Sequence, residues 1–178
     1  SSTGTAIFRS YASGTAIRGL AIYQSAGSAV AFQSGGDNGT VSCNNIGVRA
    51  DNTTAGAVGG ASSNSPISLN STAGTVVENN LVANSRGRGV AIGGSGIVRN
   101  NIIRDNTTDG IATANSISVA ISENLIYDNG EQGIDHDING VTLNDTNDSD
   151  TGTNALLNIT VLNEVSVDGL SFNFDITE

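Results

Sequence analysis

The residues best suited to chemistry lie in an acidic stretch toward the C-terminus. Between Asn144 and Asn154, the residues Asp148, Asp150, Gly152 and Asn154 alternate as D-x-D-x-G-x-N, with Asn144 and Asp145 just upstream. Calcium takes about six to eight oxygen ligands, and alternating carboxylates around a tight Gly turn can supply several of them. Asp135 and Asp137 flank His136 on an expected strand, so both carboxylates are expected to point outward together and to complete the sphere if the loop folds back. The candidate calcium set is Asp135, Asp137, Asp145, Asp148, Asp150 and Asn154. It is not an EF-hand, because no Glu closes the loop and no helix flanks it. A solvated Asp/Asn turn accounts for the same composition, since these residues bond their own backbone in turns.

Asp135-His136-Asp137 also invites an acid–base reading, as it holds the single His of the chain. His136 aligns with Phe32, Leu69, Ile92 and Thr113, however, so it is expected inside, closing a core column at a strand end. Arg86, Arg88, Arg99 and Arg104 could line a groove for sugar acids. The repeat instead stacks Glu78 under Arg99, Asp109 over Arg88 and Tyr127 over Arg104, which are exposed ion pairs or a cation–π contact. No catalytic residue is assigned. Tyr23 and Tyr127 share an outward repeat position with Arg104, and these three are the only candidates for stacking on a glycan. Cys43 stands alone, which excludes a disulfide framework. Asn-x-Ser/Thr sequons are common, as chance dictates in a chain this rich in Asn and Thr, and the one at Asn106 is expected to face inward.

The elements that position these residues are read from a repeat. The segments from Val77, Val98 and Ile121 align, with Asn80, Asn101 and Asn124 at one position and Val82, Ile103 and Ile126 two residues on. Ser85, Asn106 and Asn129 follow, then Gly89, Gly110 and Gly133, each preceding Val90, Ile111 or Ile134. The spacing from Val77 to Val90, Val98 to Ile111 and Ile121 to Ile134 is 13 each time. Earlier copies place Leu20 and Asn44 at the Asn position, giving periods of 24, 36, 21 and 23. The long one is a coil plus an insertion around Ala50–Asn64, expected to bulge outward. Such a period, with three short strand-like clusters per repeat, is what a solenoid coil requires. Equivalent side chains then stack on neighbouring coils about 4.8 Å apart. Val82/Ile103/Ile126 and Val90/Ile111/Ile134 become core ladders, and Asn80/Asn101/Asn124 an internal amide ladder. The repeated Gly is expected at a corner needing positive φ.

Composition agrees. Aromatics are 4%, Trp and Met are absent, and Gly numbers 23 of 178 residues, so the core must be aliphatic and the turns many. The net charge of −10 is unevenly spread: residues 1–104 hold seven Arg against three acids, and residues 105–178 hold fourteen acids with no Lys or Arg. Nucleic acid is excluded as a partner, since backbone binding needs clustered cations. No apolar run is long enough to insert into a membrane.

The N-x-I-x-x-N…G-I pattern resembles the parallel β-helix repeats of large bacterial extracellular proteins, over roughly residues 14–140. Asn44-Asn45-Ile46-Gly47-Val48 followed by Asp51–Gly56 is similar to a recurrent coil and loop of those proteins. Gly133-Ile134-Asp135, Gly140–Asp145 and Asp148–Asn154 resemble the segment that ends such a helix, with Leu143 and Thr153 standing where the family usually has Pro. Leu156–Val161 resembles the strand that follows, again without its Pro. The resemblance implies an all-β, right-handed, single-stranded parallel β-helix of the pectin-lyase-like kind, with a short C-terminal strand pair. Coils are expected over residues 1–140, an acidic connector over 141–154 and C-terminal strands over 155–178, as a cap or the start of a following domain. The resemblance further implies an extracellular or cell-surface location. The chain opens in mid-pattern and ends in an expected strand, so a monomeric fragment of a longer chain is expected, with a carbohydrate or host-surface ligand as its candidate partner. Three functions follow as expectations. The first is a non-catalytic structural or adhesive module, with calcium as its candidate cofactor. The alternatives are a lyase or epimerase of uronic-acid glycans and a glycan-binding module without turnover.

Overall fold

The computed structural model describes residues 6–54, 58, 65–70, 72–114, 118–137, 140, 141 and 143, together with the backbone of two strands at 161–166 and 171–175. Sixteen short strands precede those two, and they fall into three parallel sheets in strict rotation. Sheet A holds β1 (Phe8–Ser10), β4 (Val30–Phe32), β7 (Ile67–Asn70), β10 (Val90–Gly93), β13 (Ile111–Thr113) and β16 (Ile134–His136). Sheet B holds β2 (Ala16–Arg18), β5 (Thr40–Ser42), β8 (Thr75–Glu78), β11 (Ser95–Arg99) and β14 (Ser118–Ser122). Sheet C holds β3 (Ala21–Ile22), β6 (Asn45–Ile46), β9 (Leu81–Ala83), β12 (Ile102–Arg104) and β15 (Leu125–Tyr127). The chain passes A, B, C five times and then returns to A, so each coil lies against the one before it: the expected parallel solenoid.

The core is the set of stacked aliphatic columns. In sheet A, Val30, Ile67, Val90 and Ile111 are in register and fully buried, between Phe8 at one end and Ile134 at the other. Sheet B contributes Val41, Val77 and Val98, and sheet C contributes Ile46, Val82 and Ile103, all without exposure. Three-residue strands suffice because only the middle or flanking side chains face in, each worth about 1.5–3 kcal/mol on burial.

The B–C corner is held by amides. Asn101 Oδ1 accepts from the Asn80 backbone N–H and from Asn80 Nδ2, both at 3.0 Å, while Asn101 Nδ2 donates to the Val77 and Arg99 carbonyls. Asn80 does the same for Asn44, and Asn124 for Asn101, so the expected ladder runs through four coils. A second ladder crosses the C–A corner, where Asn129 Oδ1 accepts from the Asn106 N–H and side chain, and Asn106 Oδ1 accepts from the Ser85 N–H. The residue just outside each internal amide is left-handed: Cys43, Asn79, Asn100 and Glu123 at one corner (φ 55–56), Asn84, Asp105 and Asp128 at the other (φ 53–55). Asn and Asp tolerate this region best, which explains most of the choices.

Two expectations change. Gly89, Gly110 and Gly133 do not have positive φ. The corner needs Gly for space: a Cβ at Gly110 would sit 2.6 Å from Ile126 Cγ2 and 2.7 Å from the Gly133 carbonyl, and one at Gly89 would meet Gly110 and Ile103 as closely. The insertion around Ala50–Asn64 is not all outward bulge either. Val58 is fully buried and forms a parallel bridge to Ser85, donating to the Asn84 carbonyl and accepting from the Arg86 N–H. Beyond the coils, β17 (Val161–Ser166) and β18 (Ser171–Asp175) pair antiparallel, with an irregularity between Leu162 and Glu164.

Candidate functional site

Of the six candidate calcium ligands, Asp145, Asp148, Asp150 and Asn154 lie outside the described residues. Asp135 and Asp137 stand in different settings. Asp135 takes an outward register position in β16 beside Ala112, yet it is only 3% exposed. Asp137 lies past the strand end at φ 68, its N–H donating to the Thr113 carbonyl. Among the described residues, no group of three His, Cys, Asp or Glu side chains is placed to hold a metal ion.

His136 occupies the column of Phe32, Leu69, Ile92 and Thr113, and its Nδ1 lies 2.8 Å from the Thr113 hydroxyl. Partial burial pushes its pKa below the usual histidine value, against the opposing pull of Asp135 and Asp137. The ring, hydrogen-bonded to a fully buried hydroxyl, closes a core column.

Arg88 and Arg99 form rungs between coils. Arg99 bridges Glu78 at 2.8 Å across β8 and β11, and Arg88 bridges the buried Asp109 at 3.1 Å, both as the repeat indicated. Asp109 also accepts from the Gln132 N–H, so this rung ties three coils. Arg104 is in register with Tyr127, as expected, but its guanidinium pairs with Asp105. A contact within one corner replaces the expected cation–π rung because the left-handed turn at Asp105 brings that carboxylate back to Arg104.

The candidate glycan residues do not make one platform. Tyr23 lies at the far end of the column, and the positions between it and Arg104, Gly47 and Ala83, are both buried. The Tyr23 ring is taken by Arg49, whose guanidinium carbon lies 6.0 Å from its centroid. Arg49 belongs to the start of the insertion, which Asn45 anchors through its side-chain bonds to the Arg49 carbonyl and to Asn52. Within that loop, hydrogen bonds from Thr53 hold the exposed Asp51 carboxyl below its usual range. At the other end of sheet C, Arg104 and Tyr127 are joined by exposed Ile102 and Leu125 in the next outward column. Sequence reasoning missed this apolar pair, although an apolar residue at the first outward position of both strands, Ile102 and Leu125, was the signal.

The family model described as the right handed beta helix region matches residues 1–169. No curated protein and no solved structure matches the chain.

Proposed function

Because the chain belongs to the right-handed beta helix family, we propose that it is a non-catalytic structural or adhesive module of a bacterial extracellular or cell-surface protein. The observation that carries this reading is the use made of the charged repeat positions. Arg88, Arg99 and Arg104 each hold a carboxylate of the coil wall, and His136 closes a core column. Side chains spent in this way support a rigid rod. Calcium, held by the acidic segment from Asp135 to Asn154, is proposed as a stiffening ligand and not as a reagent.

The test is incubation with polygalacturonate and alginate, followed by ultraviolet absorbance for the unsaturated uronate that a lyase releases and by NMR for epimerisation. Unchanged polymers are expected; turnover would overturn the reading. Calorimetry with calcium, and melting in calcium against chelator, separately test the stiffening role. One saturable site with a raised Tm is expected, and no heat with unchanged melting removes calcium from the account. A second reading, glycan binding without turnover, is favoured by Tyr127 and Arg104 beside exposed Ile102 and Leu125. It predicts glycan-array binding that Tyr127→Ala abolishes.

A further inference from the structure

On the outward face of sheet C, the fourth and fifth coils expose an apolar patch beside a charged pair. Ile102 and Leu125 lie in register, 40% and 57% exposed. Two residues on, Arg104 lies in register with Tyr127, which is 40% exposed. Below Arg104 the same column is closed, since Ala83 is wholly buried. The patch is therefore two coils deep, with coils about 4.8 Å apart, which is the scale of one sugar ring and not of a folded partner. Its charges are unevenly matched. The Arg104 guanidinium pairs with Asp105, and both side chains are partly open to solvent. Asp128 stands one coil on from Asp105, whose N–H donates to the Asp128 carbonyl at 3.1 Å, and it is exposed. Among the described residues no ion pair involves Asp128. One cation and two carboxylates leave the patch net negative.

We propose that this patch binds a neutral sugar ring and discriminates against uronates, with Asp105 and Asp128 as the residues that set the preference. The proposal rests on the reading of glycan binding without turnover and narrows it to one class of sugar. The C–H face of a pyranose covers Ile102, Leu125 and the Tyr127 ring, an apolar surface with a few polar groups at its edge. The Arg104–Asp105 pair offers both a donor and an acceptor to the ring hydroxyls. A uronate carboxylate needs a cation, and the cation of this patch is already neutralised by Asp105. Asp128 adds repulsion, which for a like charge a few ångströms away at a protein surface amounts to at least about tenfold in affinity.

The full chain is tested at low salt on an array of neutral oligosaccharides and oligouronates of matched length. Neutral glycans are expected to bind at least about tenfold more tightly than oligouronates. Tyr127→Ala is expected to lose them, and Tyr127→Phe, which retains the ring, to keep them. Asp105→Asn/Asp128→Asn frees Arg104 and removes both carboxylates. Asn already holds the left-handed conformation at position 84, the same corner of the preceding coil, so this variant is expected to fold, with melting as the check. It is expected to gain at least about tenfold on oligouronates. Oligouronates bound by the parent as tightly as neutral glycans, or a preference unchanged in the double variant, would overturn the assignment and leave glycan binding itself standing. Binding of no glycan by the parent would overturn both.

Discussion

The fourth coil and the last one are built on the same repeat pattern, yet they stand in different physical situations. In the fourth, Asn101 makes five side-chain hydrogen bonds, to Asn80, Val77, Arg99 and Asn124, and Val98, Ile103 and Ile111 are wholly buried. In the last, Asn124 makes three, Ile121 and Ile126 are partly buried, and Ile134 is exposed over a third of its surface. A solenoid side chain is satisfied by both neighbouring coils, so the same residue type carries different weight according to what lies above and below it. The first coil makes the point from the other end. Leu20 occupies the amide position there, its own N–H donating to Asn44 Oδ1. Among the described residues the amide ladder therefore begins at Asn44.

Removing an amide gives the largest expected effect. Asn101→Ala leaves the buried Asn80 N–H and the Val77 carbonyl without their partners, at about 1–3 kcal/mol for each group left unmet. A loss on the order of 3–5 kcal/mol by denaturant melting is expected. Asn124→Ala, in its partly buried setting, is expected to lose less than half as much. Equal losses would refute the claim that ladder position sets the cost.

The glycine column offers the same comparison without polar groups. A Cβ at Gly110 would meet a backbone oxygen and two core or ladder side chains at 3.0 Å or less, whereas one at Gly133 would meet only Ile126 Cγ2 at 3.6 Å, an ordinary contact. Gly110→Ala is expected to cost about 1–3 kcal/mol by overpacking, and Gly133→Ala to change stability by less than about 0.5 kcal/mol. If both were neutral, the corner would have room that the distances deny.

Charged rungs rank below these. Arg99 is exposed and Glu78 partly so, whereas Asp109 is 1% exposed beneath Arg88. Glu78→Gln should therefore cost no more than about 1 kcal/mol and less still in salt. Asp109→Ala, which also strips the Gln132 N–H of its acceptor, should cost about 1–3 kcal/mol.

What the sequence disclosed follows from what a stack repeats. Asn80, Asn101 and Asn124 were legible because each must bond to its own kind one coil away, and the aliphatic columns because each coil buries the next. The Arg99–Glu78 and Arg88–Asp109 rungs were legible for the same reason. The left-handed corners were not, because Cys43 and Glu123 stand where Asn79 and Asn100 do and the conformation leaves no uniform residue type. Gly110 was legible as a requirement but not for its reason, since a tight approach and a positive φ both select Gly. Val58 could not be placed, because its burial depends on where an insertion of irregular length re-enters the stack. The acidic segment repeats nothing, so periodicity could give it only a composition.

The smallest effect lies in the last coil and separates a core histidine from a catalytic one. Thr113 and His136 replace the apolar members of their column, joined by a single hydrogen bond at 2.8 Å. Burial lowers the His136 pKa below 6.5 in the folded chain, so near pH 6 the unfolded chain binds the proton more readily. His136 therefore contributes stability that is fully present above pH 6.5 and is lost as pH falls from there through the folded pKa. NMR titration of the single imidazole should give a midpoint below 6.5, and Thr113→Val should move it by removing the hydroxyl partner. A midpoint above 6.5 would mean that Asp135 and Asp137 outweigh burial, and that the end of the column is wetter than its neighbours in the middle coils.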